Sequence, residues 1–403
     1  MNFISLFSGA GVGCYGFKQE GYAGIATSEL IERRLEVQRV NKTVQFEKGY
    51  ILGDISEPEK KQELYEAIEY YKQQRETEDV DVVLFTPPCQ GMSVANHKKS
   101  DGTIEQNSLV VEALEIVAKI KPKFFVSENV RAYMNTRCID HDEPKRIKEA
   151  FADWLGADYV YESKILNLKE FGANSSRTRT IVIGVRNDLA AHIDPNDLYP
   201  SNEAEKTLHD IIGHLPRLTN MGEIHENDIY HNFKKYREDM RDWIRDVKPG
   251  FSAFDNEDPK KRPHTVTKTG EIKINVNKNG DKYTRQRWDK VAPCIHTRND
   301  ILASQNTVHP EDDRVFSIRE LMLMMNIPET FKWSDIDEET LNSLPLEEKE
   351  AYLKKHEINI RQSIGEAVPT IIMRKIAKNI KDANDEFERS RAKKLHKEIQ
   401  LTT

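Results

Sequence analysis

The sequence predicts an α/β protein: a doubly wound, parallel sheet with helices on both faces, followed by a smaller, irregular domain. Three observations carry this. Through the first 190 residues, short apolar runs alternate with amphipathic stretches, the pattern of strand–helix–strand units. A glycine-rich loop follows the first apolar run directly and opens a helical stretch, as it does where a ligand meets the end of a strand. After about Leu189 the alternation stops, and a polar region broken by Pro263, Gly270, Gly280 and Pro293 takes over.

Taken in order, strands are expected at Asn2–Phe7, Gly24–Ser28, Tyr50–Leu52, Val80–Phe85, Phe124–Ser127, Val160–Leu166 and Thr180–Val185. Helices are expected at Val12–Glu20, Ile31–Asn41, Glu57–Glu76, Ser108–Ile120 and Glu143–Leu155. Beyond them, Glu271–Val276 reads as a short β run, Ile318–Met325 as a helix, Asp335–Glu350 as an acidic stretch and Arg361–Ile380 as an apolar helix. Lys381–Lys397 reads as a solvated helical tail. The expected division is 1–188 for the sheet domain, 189–300 for the irregular domain, 301–380 for a part returning to the first domain, and 381–403 for the tail.

Nothing approaches 18 consecutive apolar residues, so no spanning helix is expected. The opening Met1–Phe7 lacks a basic flank and reads as a buried strand rather than a signal peptide. The four cysteines, Cys14, Cys89, Cys138 and Cys294, form no Cys-x-x-Cys pair, so reduced thiols, a cytoplasmic setting and no metal are expected. The net charge of −7 argues at first against a polyanionic partner. Its distribution argues the other way. Lys260–Arg298 holds eleven basic and three acidic residues, a net of +8, which leaves −15 for the remainder. A basic segment of that kind is an electrostatic footprint for nucleic acid.

The chemistry-bearing residues fall at strand ends, where ligands of open α/β sheets bind. In Phe7-Ser8-Gly9-Ala10-Gly11-Val12-Gly13-Cys14-Tyr15-Gly16 the glycines allow a tight turn and close approach to a ligand, and Gly11, Gly13 and Gly16 satisfy G-x-G-x-x-G. Glu29, at the end of the second strand, suits ribose hydroxyls. Taken alone this fits NAD, FAD or S-adenosylmethionine. Asp54 ends the third strand in Gly53-Asp54-Ile55. Thr86-Pro87-Pro88-Cys89-Gln90-Gly91 ends the fourth, with two prolines fixing the chain before a thiol placed to act as a nucleophile. Glu128, in Ser127-Glu128-Asn129-Val130, ends the fifth; a partly buried glutamate can keep a proton and serve as an acid. Arg177 and Arg179 precede the last strand, and their forks suit polar groups on a base.

Together these residues resemble the DNA (cytosine-5)-methyltransferase family of the bacterial restriction-modification type: the FSGAG loop, Glu29, the GDI turn, PPCQ, ENV and the R-x-R pair. Gln286–Ile295 (QRWDKVAPCI), Arg314–Glu320 (RVFSIRE) and Ile364–Pro369 (IGEAVP) follow in the family's order. The resemblance covers most of Met1–Val185 and Gln286–Lys378.

The resemblance implies a Rossmann-like S-adenosyl-L-methionine-dependent catalytic domain with a target-recognition domain. Cys89 would attack C6 of a cytosine flipped from duplex DNA. Glu128 would donate to N3, Arg177 would bind O2, and Arg179 would hold the base and loop. Phe7, Gly9, Gly11, Val12, Gly13, Glu29, Leu30, Asp54, Ile55, Leu109, Glu366 and Ala367 would hold the cofactor, leaving S-adenosyl-L-homocysteine as product. Leu30 replaces a common tryptophan, which implies weaker cofactor affinity, and Ser175 replaces the glutamine that usually leads the arginine pair. Ser93 and Lys98, in the loop after the thiol, and Lys261, Arg262, Lys282 and Arg285, in the recognition segment, are the expected DNA contacts.

Partners implied are double-stranded DNA and, genetically rather than physically, a cognate restriction endonuclease; the chain is expected to be a monomer away from membranes. Three other readings remain open. A nucleotide-dependent oxidoreductase leaves PPCQ, ENV and R-x-R without a role. A transfer-RNA methyltransferase of the same superfamily does not need so long a middle domain. A non-enzymatic DNA binder has no use for the thiol.

Overall fold

A computed structural model describes residues 1–88, 102–277 and 280–402. The backbone packs as two units, one of 1–171, 178–202 and 370–403, the other of 172–177 and 203–369. Of the 301–380 stretch expected to rejoin the first domain, only the part from Thr370 packs with the first unit.

In the first unit the elements run β1 (Asn2–Leu6), α1 (Tyr15–Gln19), β2 (Ala23–Glu29), α2 (Glu32–Val40), β3 (Tyr50–Leu52), α3 (Pro58–Arg75), β4 (Val82–Phe85), α4 (Gly102–Ile120) and β5 (Phe124–Val130). A hairpin of β6 (Arg137–Asp140) and β7 (Glu143–Arg146) follows, then α5 (Ile147–Leu155), β8 (Tyr159–Asn167), β9 (Thr178–Arg186) and a single turn, α6 (Asn187–Ala190). The sheet order is β3-β2-β1-β4-β5-β9-β8. The first five strands are parallel, whereas β9 runs antiparallel to both β5 and β8. The expected all-parallel sheet is thus corrected to a mixed one. A second correction concerns 143–146, expected as helix. Pro144 lacks a backbone N–H, and His141 and Asp142 both take positive φ (48° and 66°), which makes a tight hairpin instead.

Alternation along the strands builds a core on each face of the sheet. Ile4, Leu6, Val83, Phe85 and Phe125 pack with Leu64 and Ile68 of α3, Val110 and Leu114 of α4 and Phe151 of α5. On the other face Phe3 meets Phe17 of α1, ring centroids 5.9 Å apart. Each such fully buried side chain contributes about 1.5–3 kcal/mol.

The second unit holds α7 (Leu208–Ile212), the pair β10 (Ile224–His225) and β11 (Asp228–Asn232), α8 (Glu238–Arg245), the pair β12 (His264–Val266) and β13 (Ile272–Ile274), then α9 (Ile318–Met324), α10 (Glu338–Ser343) and α11 (Leu346–Glu366). The expected helix over Arg361–Ile380 is two helices. Pro369 cannot donate to a helix and forces the preceding residues extended, so α11 stops at Glu366 and α12 (Thr370–Thr402) begins afresh in the first unit. The tail is the continuation of α12; its start is packed, with Ile380 and Asn384 buried.

Among the described residues no helix is long and apolar enough to cross a membrane, and no group of His, Cys, Asp and Glu is arranged to hold a metal ion.

Candidate functional site

The loop after β1 curves through three residues in the left-handed region, Phe7 (φ 55°), Gly9 (56°) and Gly11 (83°), a path glycine takes without steric cost and phenylalanine does not. The loop is tied to the neighbouring strand and helix. Ser8 N donates to Ser28 O at 3.0 Å, and Gln38 Nε2 of α2 donates to both Ser8 Oγ and Gly9 O at 2.7 Å. A Cβ built on Gly9 meets no atom of the described residues within 4 Å. Gly16 is different: its Cβ would lie 2.5 Å from Arg374 N, so the last glycine of the motif admits α12 rather than a ligand. Thr370 Oγ1 donates to Val12 O at 3.0 Å beside it.

Glu29 ends β2 nearly buried, its Oε2 accepting Gly9 N at 2.8 Å and its Oε1 accepting Ile31 N at 3.0 Å. Arg34 lies 3.4 Å from Oε1. Leu30, next along, is 65% exposed. Asp54 Oδ1 accepts Ser56 N and Ser56 Oγ at 3.0 and 2.8 Å, which anchors the turn before α3, and Ile55 is buried in the core. Leu109 sits half-buried on α4. Open space at Gly9, two carboxylates at adjacent strand ends and apolar neighbours suit a nucleoside with a charged tail. The donor set therefore fits S-adenosylmethionine. Glu366 and Ala367 lie in the second unit, where Glu366 ends α11.

Glu128 and Arg179 come together because β9 is antiparallel. Val130 pairs with Arg179 and Glu128 with Ile181, so the start of β9 stands beside the end of β5. Arg179 Nε approaches Glu128 Oε1 at 3.0 Å. That approach is an ion contact without hydrogen-bond alignment, since Oε1 is buried and accepts no hydrogen bond. Arg179 also donates to Thr178 O at 2.8 Å.

Cys89, Ser93 and Lys98 lie outside the described residues, but the chain leading to the cysteine is well placed. Asn129 Nδ2 donates to Pro87 O at 2.9 Å, and Thr86 Oγ1 donates to Phe7 O at 3.0 Å. The approach to Cys89 is thus fastened to the residue after Glu128 on one side and to the glycine loop on the other. The positional role of Asn129 was missed from sequence, although it sits inside the ENV triplet; Gln38 gave no signal at all. Two other thiols are poor nucleophiles: burial pushes Cys14 up to about 12 and Cys138 up to about 11, where the thiolate is scarce at neutral pH.

Arg177 belongs to the second unit and is nearly buried. Its guanidinium donates to Ile295 O (3.2 Å), Gly365 O (3.1 Å) and Glu366 O (3.4 Å). It clamps the QRWDKVAPCI and IGEAVP segments together, and a Cβ on Gly365 would strike His296 O at 2.4 Å. Ser176 N adds a bond to Ala292 O at 2.8 Å, and Ser175 Oγ lies 3.8 Å from Met325 Sδ.

The RVFSIRE segment forms a buried ionic cluster. Arg314 meets Glu320 in a two-pronged pair at 2.7 and 2.8 Å and also donates to Asp312. Glu320 closes a capping box with Ser317 at the start of α9. Burial raises the Glu320 carboxyl, but the Arg314 charge outweighs it and holds the acid well below the usual carboxylate range. His309 Nδ1 accepts Asp312 N at 2.9 Å; burial, then the charge of Arg314, pushes this imidazole down to about 3.

Among the expected DNA contacts, Arg285 is corrected. It is 3% exposed and donates to Val247 O, Ile244 O, His309 O and Asp312 O; its charge holds the small core together and is not available to a phosphate. Lys261 is exposed and paired with Asp246. Arg262 Nε donates to Asn256 O at 2.6 Å, and Lys282 is half-buried beside Gln305.

Residues 1–382 match the family model described as C-5 cytosine-specific DNA methylase. The chain is 27% identical over 394 residues to the type II methyltransferase M1.HgaI of Avibacterium volantium, covering 94% of this chain and 98% of that one. It is 28% identical over 386 residues to M1.HphI of Haemophilus parahaemolyticus, covering 95% and 87%. The fold is similar to that of a prophage-encoded DNA modification methyltransferase structure (E. coli), with TM-score 0.63, 16% identity, and 96% and 99% of the two chains covered. It is also similar to a Spodoptera frugiperda DNMT2 variant, with TM-score 0.55, 14% identity, and 94% and 99% covered.

Proposed function

From the premise that the chain belongs to the C-5 cytosine-specific DNA methylase family, we propose that it methylates a cytosine flipped out of a specific duplex site through a covalent adduct with Cys89. It is a DNA cytosine-5-methyltransferase. We further propose that it protects host DNA beside a type II restriction endonuclease, as the names of its relatives suggest, acting as a monomer in the cytoplasm. The observation that carries the chemistry is the Glu128–Arg179 pair at the sheet edge, with Asn129 holding the carbonyl of Pro87 two residues before Cys89.

Carbon 5 of cytosine is a weak nucleophile because its electrons belong to an aromatic ring. The Cys89 thiolate adds to C6; the new S–C6 bond displaces the C5–C6 π pair onto C5. Glu128 donates to N3 and offsets the charge that builds there, while Arg179 fixes the carboxyl. S-adenosylmethionine, when bound, supplies an electrophilic methyl carbon on a sulfonium sulfur. Glu29 and Asp54 would hold its ribose hydroxyls and adenine amino group, and Gly9 would leave room for the nucleoside. After methylation the C5 proton passes to water, its bonding pair restores the C5–C6 double bond, and the C6–S pair returns to Cys89 as thiolate. Flipping is required because C5 and C6 are shielded inside a stacked duplex.

A duplex carrying 5-fluorocytosine at the target traps the wild-type protein covalently in the presence of cofactor, because fluorine cannot leave as a proton does. Cys89→Ser is expected to lose the trapped band on denaturing gels; equal trapping would assign the nucleophile elsewhere. Bisulfite sequencing of DNA from expressing cells reports the target sequence.

A further inference from the structure

We infer that the β12–β13 hairpin is a specificity-determining element whose apolar face reads the C5 methyl groups of thymines in the major groove of the target site. The inference rests on the function proposed above and deepens it.

The register sets the face. His264 pairs with Ile274, Thr265 with Lys273 and Val266 with Ile272, and residues directly opposite in an antiparallel pair point to the same side. Val266, Ile272 and Ile274 therefore share one face, while Thr265 and Lys273 occupy the other. The apolar face is open to solvent: Val266 is 62%, Ile272 40% and Ile274 38% exposed. Val276, just past the strand, is 68% exposed. The base is anchored at His264. His264 packs on Trp243 with ring centroids 5.2 Å apart, and Trp243 is buried in the small core of the second unit. The tip is closed by a turn in which Glu271 N donates to Thr267 Oγ1 at 3.0 Å and Gly270 takes φ 84°. The result is a ribbon rooted on the small core that projects β-branched side chains into water.

An exposed apolar set of this kind marks an interaction surface, and the charge around it says with what. Lys268 and Lys273 ride on the hairpin itself, where Glu271 is the one acidic residue between His264 and Val276. A second copy docking the same face would bring like charges together, whereas a nucleic-acid duplex presents the opposite sign. The major groove admits a two-stranded β-ribbon, and its apolar feature is the thymine methyl. Lysine on one face for phosphates and isoleucine on the other for methyls divides the work between orientation and base reading.

The test uses a synthetic duplex bearing the sequence found by bisulfite sequencing, with each thymine in turn replaced by deoxyuridine, which keeps the base pairing and removes only the methyl. Wild-type affinity, measured by fluorescence anisotropy, is expected to fall roughly threefold to tenfold for at least one replacement, on the order of burying one methyl group or more. The double variant Ile272→Ser/Ile274→Ser, at exposed positions that do not hold the core, is expected to bind thymine and deoxyuridine duplexes equally while keeping the wild-type melting temperature. A recognition sequence without thymine, or wild-type binding indifferent to every replacement, overturns the inference but leaves methyl transfer standing. A double variant that keeps the thymine preference, or that loses self-association in sedimentation while reading DNA normally, overturns it as well. Failure of the proposed function is a separate result: no methyl transfer to any duplex.

Discussion

Glu128 and Glu320 are both buried glutamates facing an arginine, and the fold treats them in opposite ways. Glu320 is saturated: both oxygens meet Arg314, one also accepts Ser317 N at 2.6 Å, and Asp312 shares the same guanidinium. Among the described residues Glu128 has one ion contact, and its Oε1 accepts no hydrogen bond although it is buried. Buried polar groups are normally satisfied, and a half-satisfied one is costly. A saturated pair is what a structural cluster needs. An unsaturated acid at the carboxyl edge of a sheet keeps capacity for a group that arrives from outside. Under the function proposed above, the difference separates scaffold from chemistry.

The contrast can be broken first at Glu128. Glu128→Gln keeps the shape and removes the acid, so single-turnover methyl transfer is expected to fall about 10²- to 10⁴-fold, with folding stability changed by no more than about 1 kcal/mol. A large stability loss with near-normal turnover would reverse the assignment. Glu320→Gln makes the complementary break. It leaves the Arg314 charge buried and under-paired, for an expected loss of about 3–5 kcal/mol in denaturant unfolding. Intact stability there would show that the cluster is not structural.

Acid sharpens the comparison further. His309 is held neutral, with a folded value near 3 against about 6.5 unfolded, so below pH 6.5 the unfolded chain binds the extra proton. Its contribution is complete above pH 6.5 and is lost progressively as pH falls toward 3. By pH 5 that loss is on the order of 2 kcal/mol. The depressed Glu320 carboxyl adds to the loss only below its unfolded value, near 4.3. Urea unfolding at pH 7.5 and pH 5 should show a smaller difference for His309→Asn than for the wild type. Identical pH dependence in both proteins would remove His309 from the account.

Much of this site was legible from residues alone, and the reason is local. Glycines at 9 and 11 announce a tight turn, paired prolines announce a fixed approach to Cys89, and the apolar run Met1–Phe7 announces a buried strand. What misled was charge counted without partners. Arg285 looked like a phosphate contact because it lies in the basic segment, yet five hydrogen bonds, four of them to backbone carbonyls and one to Asp313, consume its donors.

By itself, the sequence determined the alternating elements, the order of the motifs and the membership of the family, because each is written in residue types a few positions apart. Only the tertiary structure decided the direction of β9, and with it the meeting of Arg179 and Glu128. Strand direction depends on which distant segment supplies the hydrogen-bonding edge; β5 and β9 are about fifty residues apart in the chain, and no local period encodes that choice. The same holds for Arg177, whose three carbonyl partners come from segments more than a hundred residues away.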